Sequence, residues 1–364
     1  MTDEPLRSSL LDAEHRILGG RMVPFGGWEM PLRYGSVLDE HRACRDAAVT
    51  FDVSHLGSVW VRGTGAFAAL QGLLTNDLTK IGPGQAQYTH LLDDGDAHVV
   101  DDVIVWWVDD GEFLVIPNAS NTAPALGALE RAAAAAPGGA TVADVTGQRA
   151  FLAVQGPKAR QCLAEVVPEA AGVAHFGVAR VAVPGGEGIV GGTGYTGEDG
   201  VELFLREEAA TVTWRALLAA GVAPAGLGAR DTLRLEMGYP LHGHELGPGI
   251  TPLQAGLGWV VGWDKPAFAG RGPLLAERER GPVRRLTGVV LDDRQVPRAG
   301  CAVLVDGEPA GEVTSGNLSP TLARGIALAF LPPGTKPGTA VEVDIRGRRA
   351  TGQVVRPPFV TRGS

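Results

Sequence analysis

The sequence predicts an α+β protein in which two consecutive α+β units precede a small all-β domain. Within the first 280 residues, strand-like alternation and helical periodicity follow one another twice. From residue 281 onward only short strand-like runs separated by turn signals occur. Of the 364 residues, 45% are apolar and 20% charged, a composition typical of globular domains with well-filled cores. We therefore place domain boundaries near residues 145 and 281.

The first unit is predicted to contain a helix, a strand hairpin and a second helix. A helix covers Ser36–Ala48, with serine as its N-cap, and leads into a strand. The β-branched and aromatic segments His98–Val108 and Glu112–Asn118 are separated by the Asp-Asp-Gly sequence at 109–111 and predict a hairpin. An alanine-rich helix follows and ends before Pro137.

The second unit repeats this mixture, and the C-terminal region departs from it. Residues 151–157 predict a strand, Lys158–Glu165 a helix, further strands extend to Phe204, and Thr211–Ala220 predicts another helix. Beyond residue 281 the runs LTGVVL, CAVLV, GIALAFL and AVEVDI alternate with turn residues. About 80 residues of this kind favour a small β-barrel or sandwich.

Composition excludes several classes of protein. A formal net charge of −9 provides no global attraction for a polyanion, so an acidic ligand must meet local cations. Cys44, Cys162 and Cys301 are widely spaced and odd in number, which indicates buried thiols instead of a disulfide framework or zinc site. Neither a targeting signal nor an apolar run of membrane-spanning length, about 20 residues, is present. We expect a cytoplasmic protein, or a processed matrix protein.

The glycine-rich segment Gly192–Gly197 satisfies the spacing of a dinucleotide fingerprint but is expected to have another role. In a nucleotide site the third glycine opens a helix, whereas Val201–Leu205 alternates like a strand. The segment is either a structural turn or a turn that lets a flat ligand approach the backbone. Tyr195 and Glu202 favour the second alternative, because an aromatic face and a carboxylate acceptor suit a flat ligand with amino groups.

The adjacent acids Asp101 and Asp102 lie inside an apolar strand, where an unpaired carboxylate costs several kcal/mol on burial. Strand alternation places Asp102 on the face of Ile104 and Trp106, and Asp101 on the face of Val103. Only one of the two acids can therefore face a given pocket. The alternative is that both are solvated acids at a strand end.

No metal site and no common hydrolase or nucleotidase site is expected. The sequence His242-Gly243-His244-Glu245 has ligand-like spacing, but it lies in a Gly- and Pro-rich loop without a distant partner cluster. Neither a G-x-S-x-G elbow nor a Walker motif is present.

Several long segments resemble the glycine cleavage T-protein family. They are PFGGWEMPLRYGSVLDEH at 24–41, FDVSHLG at 51–57, VDDVIV at 100–105, GTGYTGEDGVE at 192–202, GLGARDTLRLEMGYPLHGHE at 226–245 and TSGNLSPTLARGIALAFL at 314–331. The resemblance runs from about residue 10 to 360. It implies a folate-binding module of two subdomains related to the ferredoxin-like topology, followed by an antiparallel β-barrel.

The resemblance also implies an activity. Family members transfer the carbon of an aminomethyl group, carried on the lipoyl arm of the H-protein, to tetrahydrofolate. The products are 5,10-methylenetetrahydrofolate, ammonia and the reduced lipoyl arm. Tetrahydrofolate is thus the expected co-substrate, lipoylated H-protein the expected partner, and no metal is expected.

The family's essential acid corresponds to the pair Asp101–Asp102. We choose Asp102 because Trp106 shares its face, where the family often has an aromatic residue contacting folate, and keep Asp101 as the alternative. The other positions that match the family's folate pocket are Tyr88, Asn118, Tyr195, Glu202, Arg230, Tyr239 and, near the C-terminus, Arg362. Arg230 has a structural alternative, namely a buried arginine paired with Asp231 or Glu236.

Two relatives of this family offer other functions. Folate-linked demethylases carry an amine-oxidising flavin domain before a similar module, and the residues before Leu10 leave no room for one. Non-enzymatic folate-binding scaffolds carry a K-G-C-Y-x-G-Q-E signature, whereas this chain has the cysteine-free LEMGYPLHGHE at 235–245. The scaffold is the principal alternative function.

Overall fold

The computed structural model describes residues 5–361, and within them helices and sheets are mixed along the chain. The predicted α+β class and the closed C-terminal barrel are both confirmed. Arg362, a predicted pocket residue, lies outside the described residues. No helix in the described part is long and apolar enough to cross a membrane.

The first α+β unit begins with a small three-stranded sheet in the order β1-β3-β2 and continues into a larger five-stranded sheet in the order β6-β7-β8-β5-β9. Its elements are β1 (Arg7–Ser8), α1 (Asp12–Ile17), β2 (Arg21–Phe25), β3 (Trp28–Arg33), α2 (Val37–Asp46), β4 (Val49–Asp52), β5 (Val59–Arg62), α3 (Ala66–Leu73), β6 (Gln85–Leu92), β7 (Val99–Asp109), β8 (Glu112–Ile116), α4 (Thr122–Ala135) and β9 (Thr141–Asp144).

The second unit contributes most of a six-stranded sheet in the order β11-β12-β13-β10-β4-β14. Strand β4 comes from the first unit, so the chain links the two units through a shared sheet. The elements are β10 (Arg149–Gln155), α5 (Ala159–Val166), α6 (Pro168–Ala171), β11 (Val178–Val183), β12 (Gly186–Gly191), β13 (Gly200–Arg206), α7 (Glu207–Ala219), β14 (Ala223–Pro224), α8 (Leu227–Glu236) and α9 (Arg271–Arg280).

The C-terminal domain is a closed six-stranded barrel with the order β15-β18-β17-β16-β19-β20. Its neighbouring strands pair antiparallel, and alternate residues fill an interior of Val, Leu and Ala. Closure leaves no free sheet edge. The strands are β15 (Arg285–Leu291), β16 (Ala302–Val305), β17 (Glu308–Ser319), β18 (Arg324–Leu331), β19 (Ala340–Ile345) and β20 (Arg348–Val355).

The two large sheets pack face to face through an aromatic layer. Trp106 meets Phe151 edge-on at 5.5 Å between ring centroids, and Trp60 meets Phe204 at 6.5 Å. The outer face of the five-stranded sheet is covered by α3 and α4, and that of the six-stranded sheet by α5 and α7. Each sheet therefore has one face toward helices and one toward the other sheet.

Local sequence patterns predicted several of these elements correctly. The Ser36 hydroxyl accepts a hydrogen bond from the Asp39 amide at 3.1 Å and caps α2. The Asp-Asp-Gly turn joins β7 and β8, with Gly111 at φ 63°. The segment after Gly197 is strand β13, so the dinucleotide fingerprint is indeed absent. Helix α8 lies in a segment for which the pattern predicts no element.

Glu236, at the end of α8, joins the α+β units to the barrel. Its carboxylate is fully buried and accepts hydrogen bonds from Arg45 of α2 at 2.8 Å, from Ser319 at 2.5 Å and from Thr321 at 3.0 Å. The His41 ring nitrogen Nε2 lies 3.2 Å away. Although burial opposes ionisation, the hydrogen bonds and neighbouring positive charge lower the pKa of Glu236 to about 2.

We predict that Glu236→Gln lowers the free energy of unfolding by about 3 kcal/mol or more at neutral pH, because the buried partners lose the negative charge that they bind. Since the pKa of Glu236 is depressed in the folded protein, its contribution exists above the ordinary value of 4.5 and is lost as pH falls toward 2. Denaturant unfolding across pH 2–7 measures both effects. Glu342→Gln, in an exposed pair with Arg349, is the control and should change stability by less than about 1 kcal/mol.

Candidate active site

Strand β7 carries the two adjacent acids on opposite faces of the five-stranded sheet, as its alternation predicts. Val103 packs in the core beneath α3 and α4, whereas Ile104 and Trp106 pack in the layer between the sheets. Asp101 therefore points to the helix side and Asp102 to the inter-sheet side. Asp101 is 0% exposed and Asp102 is half-buried, so the alternative of two solvated acids is wrong.

Asp101 is held by amides from the segment between β8 and α4. The Asn118 backbone amide donates to its Oδ2 at 3.0 Å, and the Asn118 side chain donates to Oδ1 at 2.8 Å. The Asn121 side chain donates to Oδ1 at 2.7 Å. Three donors thus occupy the Asp101 carboxyl, which suits a fixed structural acceptor.

Asp102 has a different set of partners, and one of them is a phenol. The Tyr88 hydroxyl donates to Oδ2 at 2.9 Å, and the Asn118 side chain donates to Oδ1 at 2.9 Å. Tyr88 lies on the neighbouring strand β6, whose register places it diagonally from Asp102. Asn118 bonds both acids, so its side chain sets the spacing between them.

The protonation of the two acids is coupled. Burial raises the pKa of Asp101 despite its amide partners. Burial also raises the pKa of Asp102, and the negative charge of Asp101 raises it further. Two carboxylates this close resist simultaneous ionisation, so one of them holds a proton more tightly than an ordinary carboxyl group. Such a pair can accept and return a proton near neutral pH.

A half-buried arginine and a buried glutamate form the second part of the site. Arg230 on α8 and Glu202 on β13 interact electrostatically, and the Thr193 hydroxyl donates to Glu202 at 2.5 Å. Burial raises the pKa of Glu202 and lowers that of Arg230. The Arg230 guanidinium lies 5.0 Å from the centre of the Tyr195 ring. The second part therefore presents a carboxylate, a guanidinium and an aromatic face together.

Tyr195 connects the two parts. Its ring stacks with Tyr239 at 5.8 Å, and its hydroxyl donates to the Pro240 carbonyl. Burial raises the pKa of Tyr195, and the charge of Asp102 adds to this rise, which places Asp102 within electrostatic range of that ring. Arg234 holds the backbone at Tyr239 against the barrel by donating to the Tyr239 carbonyl at 3.1 Å and to Ser315 at 2.8 Å.

The structural alternative for Arg230 does not match its surroundings. Asp231 pairs with Arg234 at 2.9 Å, and Glu236 belongs to the Arg45 cluster. Among the described residues, Nη1 of Arg230 is buried without a hydrogen-bond partner. The nearby His55 is buried, and burial together with the Arg230 charge lowers its pKa to about 4. An acceptor from a ligand would satisfy this unpartnered nitrogen.

Trp106 is not brought into the open part of the site. It is 0% exposed, it packs on Phe151, and a Cβ at Gly191 would lie 2.3 Å from its ring. In this structure Trp106 is a core residue of the aromatic layer. The large side chain of Trp106 is on the Asp102 face of β7 because it packs between the two sheets.

The glycine-rich turn is explained by contacts within the protein. A Cβ at Gly192 would lie 1.9 Å from the Ala174 carbonyl oxygen, and one at Gly194 would lie 2.0 Å from Oε1 of Gln155. Gly197 has φ 81°, and its Cβ would meet Met237. These contacts require glycine whether or not a ligand is bound, so the turn acts by presenting Tyr195.

Sequence reasoning missed four residues beside the predicted ones: His55, His90, Asn121 and Trp259. His90 could have been found, because it follows Tyr88 by two residues on one strand face. Asn121 follows Asn118 by three residues in a turn of helix, which is a weaker signal. Trp259 is 64% exposed with its ring 6.0 Å from that of Tyr88, a contact between distant segments.

The ligand-like sequence at residues 242–245 is engaged in protein contacts. His242 lies 3.3 Å from the Val99 carbonyl, and His244 lies 2.8 Å from the Thr314 carbonyl. Glu245 accepts a hydrogen bond from the Leu241 amide at 2.9 Å. These contacts position the loop against β7 and the barrel.

Two family models match the chain along most of its length. The GCVT N-terminal domain matches residues 11–265, and the glycine cleavage T-protein C-terminal barrel domain matches residues 284–361. These ranges coincide with the two α+β units and with the closed barrel of the structure, so the chain has the domain organisation of the glycine cleavage T-proteins.

Comparison with individual proteins agrees with the family models. An aminomethyltransferase of Mycobacterium avium is 51% identical over 360 residues, covering 96% of each chain, and one of Parafrankia sp. is 49% identical, covering 98% of each. The crystal structure of glycine cleavage system aminomethyltransferase T from Bartonella henselae superposes with a TM-score of 0.90 at 32% identity, covering 98% of this chain and 99% of that one. The chain belongs to the glycine cleavage T-protein family and is an enzyme of the aminomethyltransferase class.

We predict that Asp101→Asn lowers the pKa of Asp102, because the neighbouring negative charge is removed. Burial remains, so the pKa of Asp102 should stay above the ordinary value of 3.8. NMR titration of protein labelled with 13C at the aspartate carboxyl groups measures it. Asp109→Asn, at the exposed end of the same strand, is the control. An unchanged Asp102 titration in Asp101→Asn would contradict coupling between the two acids.

Proposed function

We propose that this protein transfers the carbon of an aminomethyl group, carried on the lipoyl arm of the H-protein, to tetrahydrofolate. The products would be 5,10-methylenetetrahydrofolate, ammonia and the dihydrolipoyl H-protein. The observation that carries the proposal is a half-buried Asp102 with raised pKa, held by Tyr88 and Asn118 within electrostatic range of Tyr195. The aminomethyltransferase relatives support the same reaction class.

The chemistry requires a group that accepts and returns protons. Two bonds form between the carbon and the folate amines at nitrogens 5 and 10, and the bonds from that carbon to nitrogen and sulfur break. The two protons lost by the folate amines are balanced by those gained by the departing ammonia and the lipoyl sulfur. A carboxyl group with a pKa near neutral pH is suited to such transfers.

Asp102 is our choice for this group, with Asp101 as the alternative. Asp101 is occupied by three amide hydrogen bonds and lies on the helix side of the sheet. Asp102 lies on the inter-sheet side, and its Oδ2 accepts a hydrogen bond from the Tyr88 hydroxyl. Ionised Asp102 would also stabilise positive charge that develops on the transferred carbon.

Arg230 and Glu202 would bind the pterin ring of the folate. The Glu202 carboxylate accepts hydrogen bonds from the amino edge, and the unpartnered Nη1 of Arg230 donates to a ring carbonyl or to a carboxylate of the folate tail. Tyr88, Tyr195 and Tyr239 supply aromatic surface beside the ring. The buried and unpartnered donor supports this fit, since a ligand acceptor removes the cost of leaving it unsatisfied.

Reconstitution tests the proposal directly. The purified protein is mixed with aminomethyl-loaded H-protein and tetrahydrofolate, and methylenetetrahydrofolate and ammonia are followed together. We expect both products in equal amounts and neither without the loaded H-protein. Folate binding without either product would favour the non-enzymatic scaffold.

We predict that Asp102→Asn folds normally and binds tetrahydrofolate but loses turnover by about 100-fold or more, because general-base and electrostatic contributions are each of that order. Steady-state kinetics and calorimetric folate titration measure the two properties. Asp101→Asn is the matched comparison. Near-normal turnover in Asp102→Asn together with an inactive Asp101→Asn would assign the role to Asp101.

We predict that Glu202→Gln weakens tetrahydrofolate binding by about 10-fold or more, because one charged acceptor of the pterin amino edge is lost. Calorimetric titration of the folded variant measures the change. The control is Glu187→Gln, an exposed glutamate on the adjacent strand β12, which should bind as the unaltered protein does. Equal affinities of both variants would remove Glu202 from the binding site.

A further inference from the structure

His90 lies directly opposite Asp102 on the neighbouring strand. The pairing of β6 with β7 matches these two residues, so their side chains share one face of the sheet. The His90 side chain is fully buried, and its Nε2 lies 3.3 Å from the Tyr88 hydroxyl oxygen. Tyr88 in turn donates to Asp102 at 2.9 Å. A continuous series of contacts therefore runs from His90 through Tyr88 to Asp102.

The chemistry of these contacts fixes the direction of the hydrogen bonds when Asp102 is ionised. A carboxylate only accepts, so the single Tyr88 proton points to Asp102. The Tyr88 oxygen is then free to accept, and Nε2 of His90 must be the donor. Burial, with a contribution from His242, lowers the pKa of His90 to about 3, so the ring is neutral and its one proton lies on Nε2.

We propose that His90 is a positioning residue, which holds the Tyr88 hydroxyl as a donor to Asp102 and thereby favours the ionised form of that acid. A donor to the phenol oxygen polarises the phenol and strengthens its own donation to the carboxylate. This inference rests on the proposed role of Asp102. It adds a residue that acts only through Tyr88.

The other groups around Asp102 do not duplicate this effect. Asp101 opposes ionisation by its charge, Asn118 donates to the other carboxyl oxygen, and the Tyr195 hydroxyl is directed to the Pro240 carbonyl. The titratable neighbour facing His90 from the 242–245 loop is His242, whose pKa is lowered by burial. Within the described part of the chain, Nδ1 of His90 has no hydrogen-bond partner. The His90 ring therefore makes its hydrogen bond through Nε2, to the Tyr88 hydroxyl.

The test is the pH dependence of kcat/KM in the reconstituted reaction. In His90→Leu the donor to Tyr88 is lost, so the pKa of Asp102 should rise and the acid limb should move to higher pH by about half a unit. His90→Gln retains an N–H donor and should keep the limb close to that of the unaltered protein. His244→Leu, an exposed histidine bonded to a backbone carbonyl, is the matched control and should not move it.

A double-mutant cycle separates positioning from packing. Since His90 is proposed to act only through the phenol, adding His90→Leu to Tyr88→Phe should move the limb no further than Tyr88→Phe alone. Thermal unfolding verifies that each variant is folded. If His90→Leu does not fold, His90→Met replaces it, because an unbranched side chain adapts to the same space.

Two outcomes would overturn the inference. One is a fall in kcat/KM of equal size at every pH in His90→Leu, with the limb unmoved, as expected for a histidine that only packs. The other is an additional shift when His90→Leu is combined with Tyr88→Phe. Full activity of Asp102→Asn would instead reject the proposed role of Asp102, so the two failures are distinguishable.

Discussion

Burial of two adjacent carboxyl groups on strand β7 is the constraint on which the site depends. A buried carboxylate without partners costs several kcal/mol, so each acid requires donors at fixed positions. Asp101 obtains them from the amides of Asn118 and Asn121, and Asp102 obtains them from Asn118 and Tyr88. The turn between β8 and α4 and the register of β6 therefore have to be set accurately for the fold to tolerate this pair.

The aromatic layer between the sheets fixes their relative position. Trp106 and Phe151 meet edge to face across the layer, and Gly191 leaves room for the indole. Because side chains in such a core pack at crystal-like density, the two sheets cannot slide past one another without opening cavities. The layer thus holds Asp102 on one sheet in a fixed relation to Glu202 on the other.

Arg45 and Arg234 have structural roles, whereas Arg230 is suited to binding a ligand. Arg45 and Arg234 are surrounded by carboxylates, hydroxyls and carbonyls; Arg45 joins α2 to Glu236 of α8 and to Glu198, and Arg234 joins α8 to Ser315 of the barrel. Arg230 lies one helical turn from Arg234, is half-buried, and has a buried Nη1 without a hydrogen-bond partner among the described residues. Satisfied arginines stabilise the fold, whereas an unsatisfied one next to Glu202 and Tyr195 is suited to a polar ligand.

The sequence by itself determined the elements that local chemistry encodes, such as the Ser36 cap, the hairpin of β7 and β8, the alternation that separates Asp101 from Asp102, and the change to short strands after residue 281. Its long segments also identified the family. The tertiary structure alone decided that Trp106 packs in the core, that Asp231 and Glu236 pair with Arg234 and Arg45 and not with Arg230, and that His90 lies opposite Asp102. These outcomes depend on sheet register and on contacts between distant segments, which no local periodicity specifies.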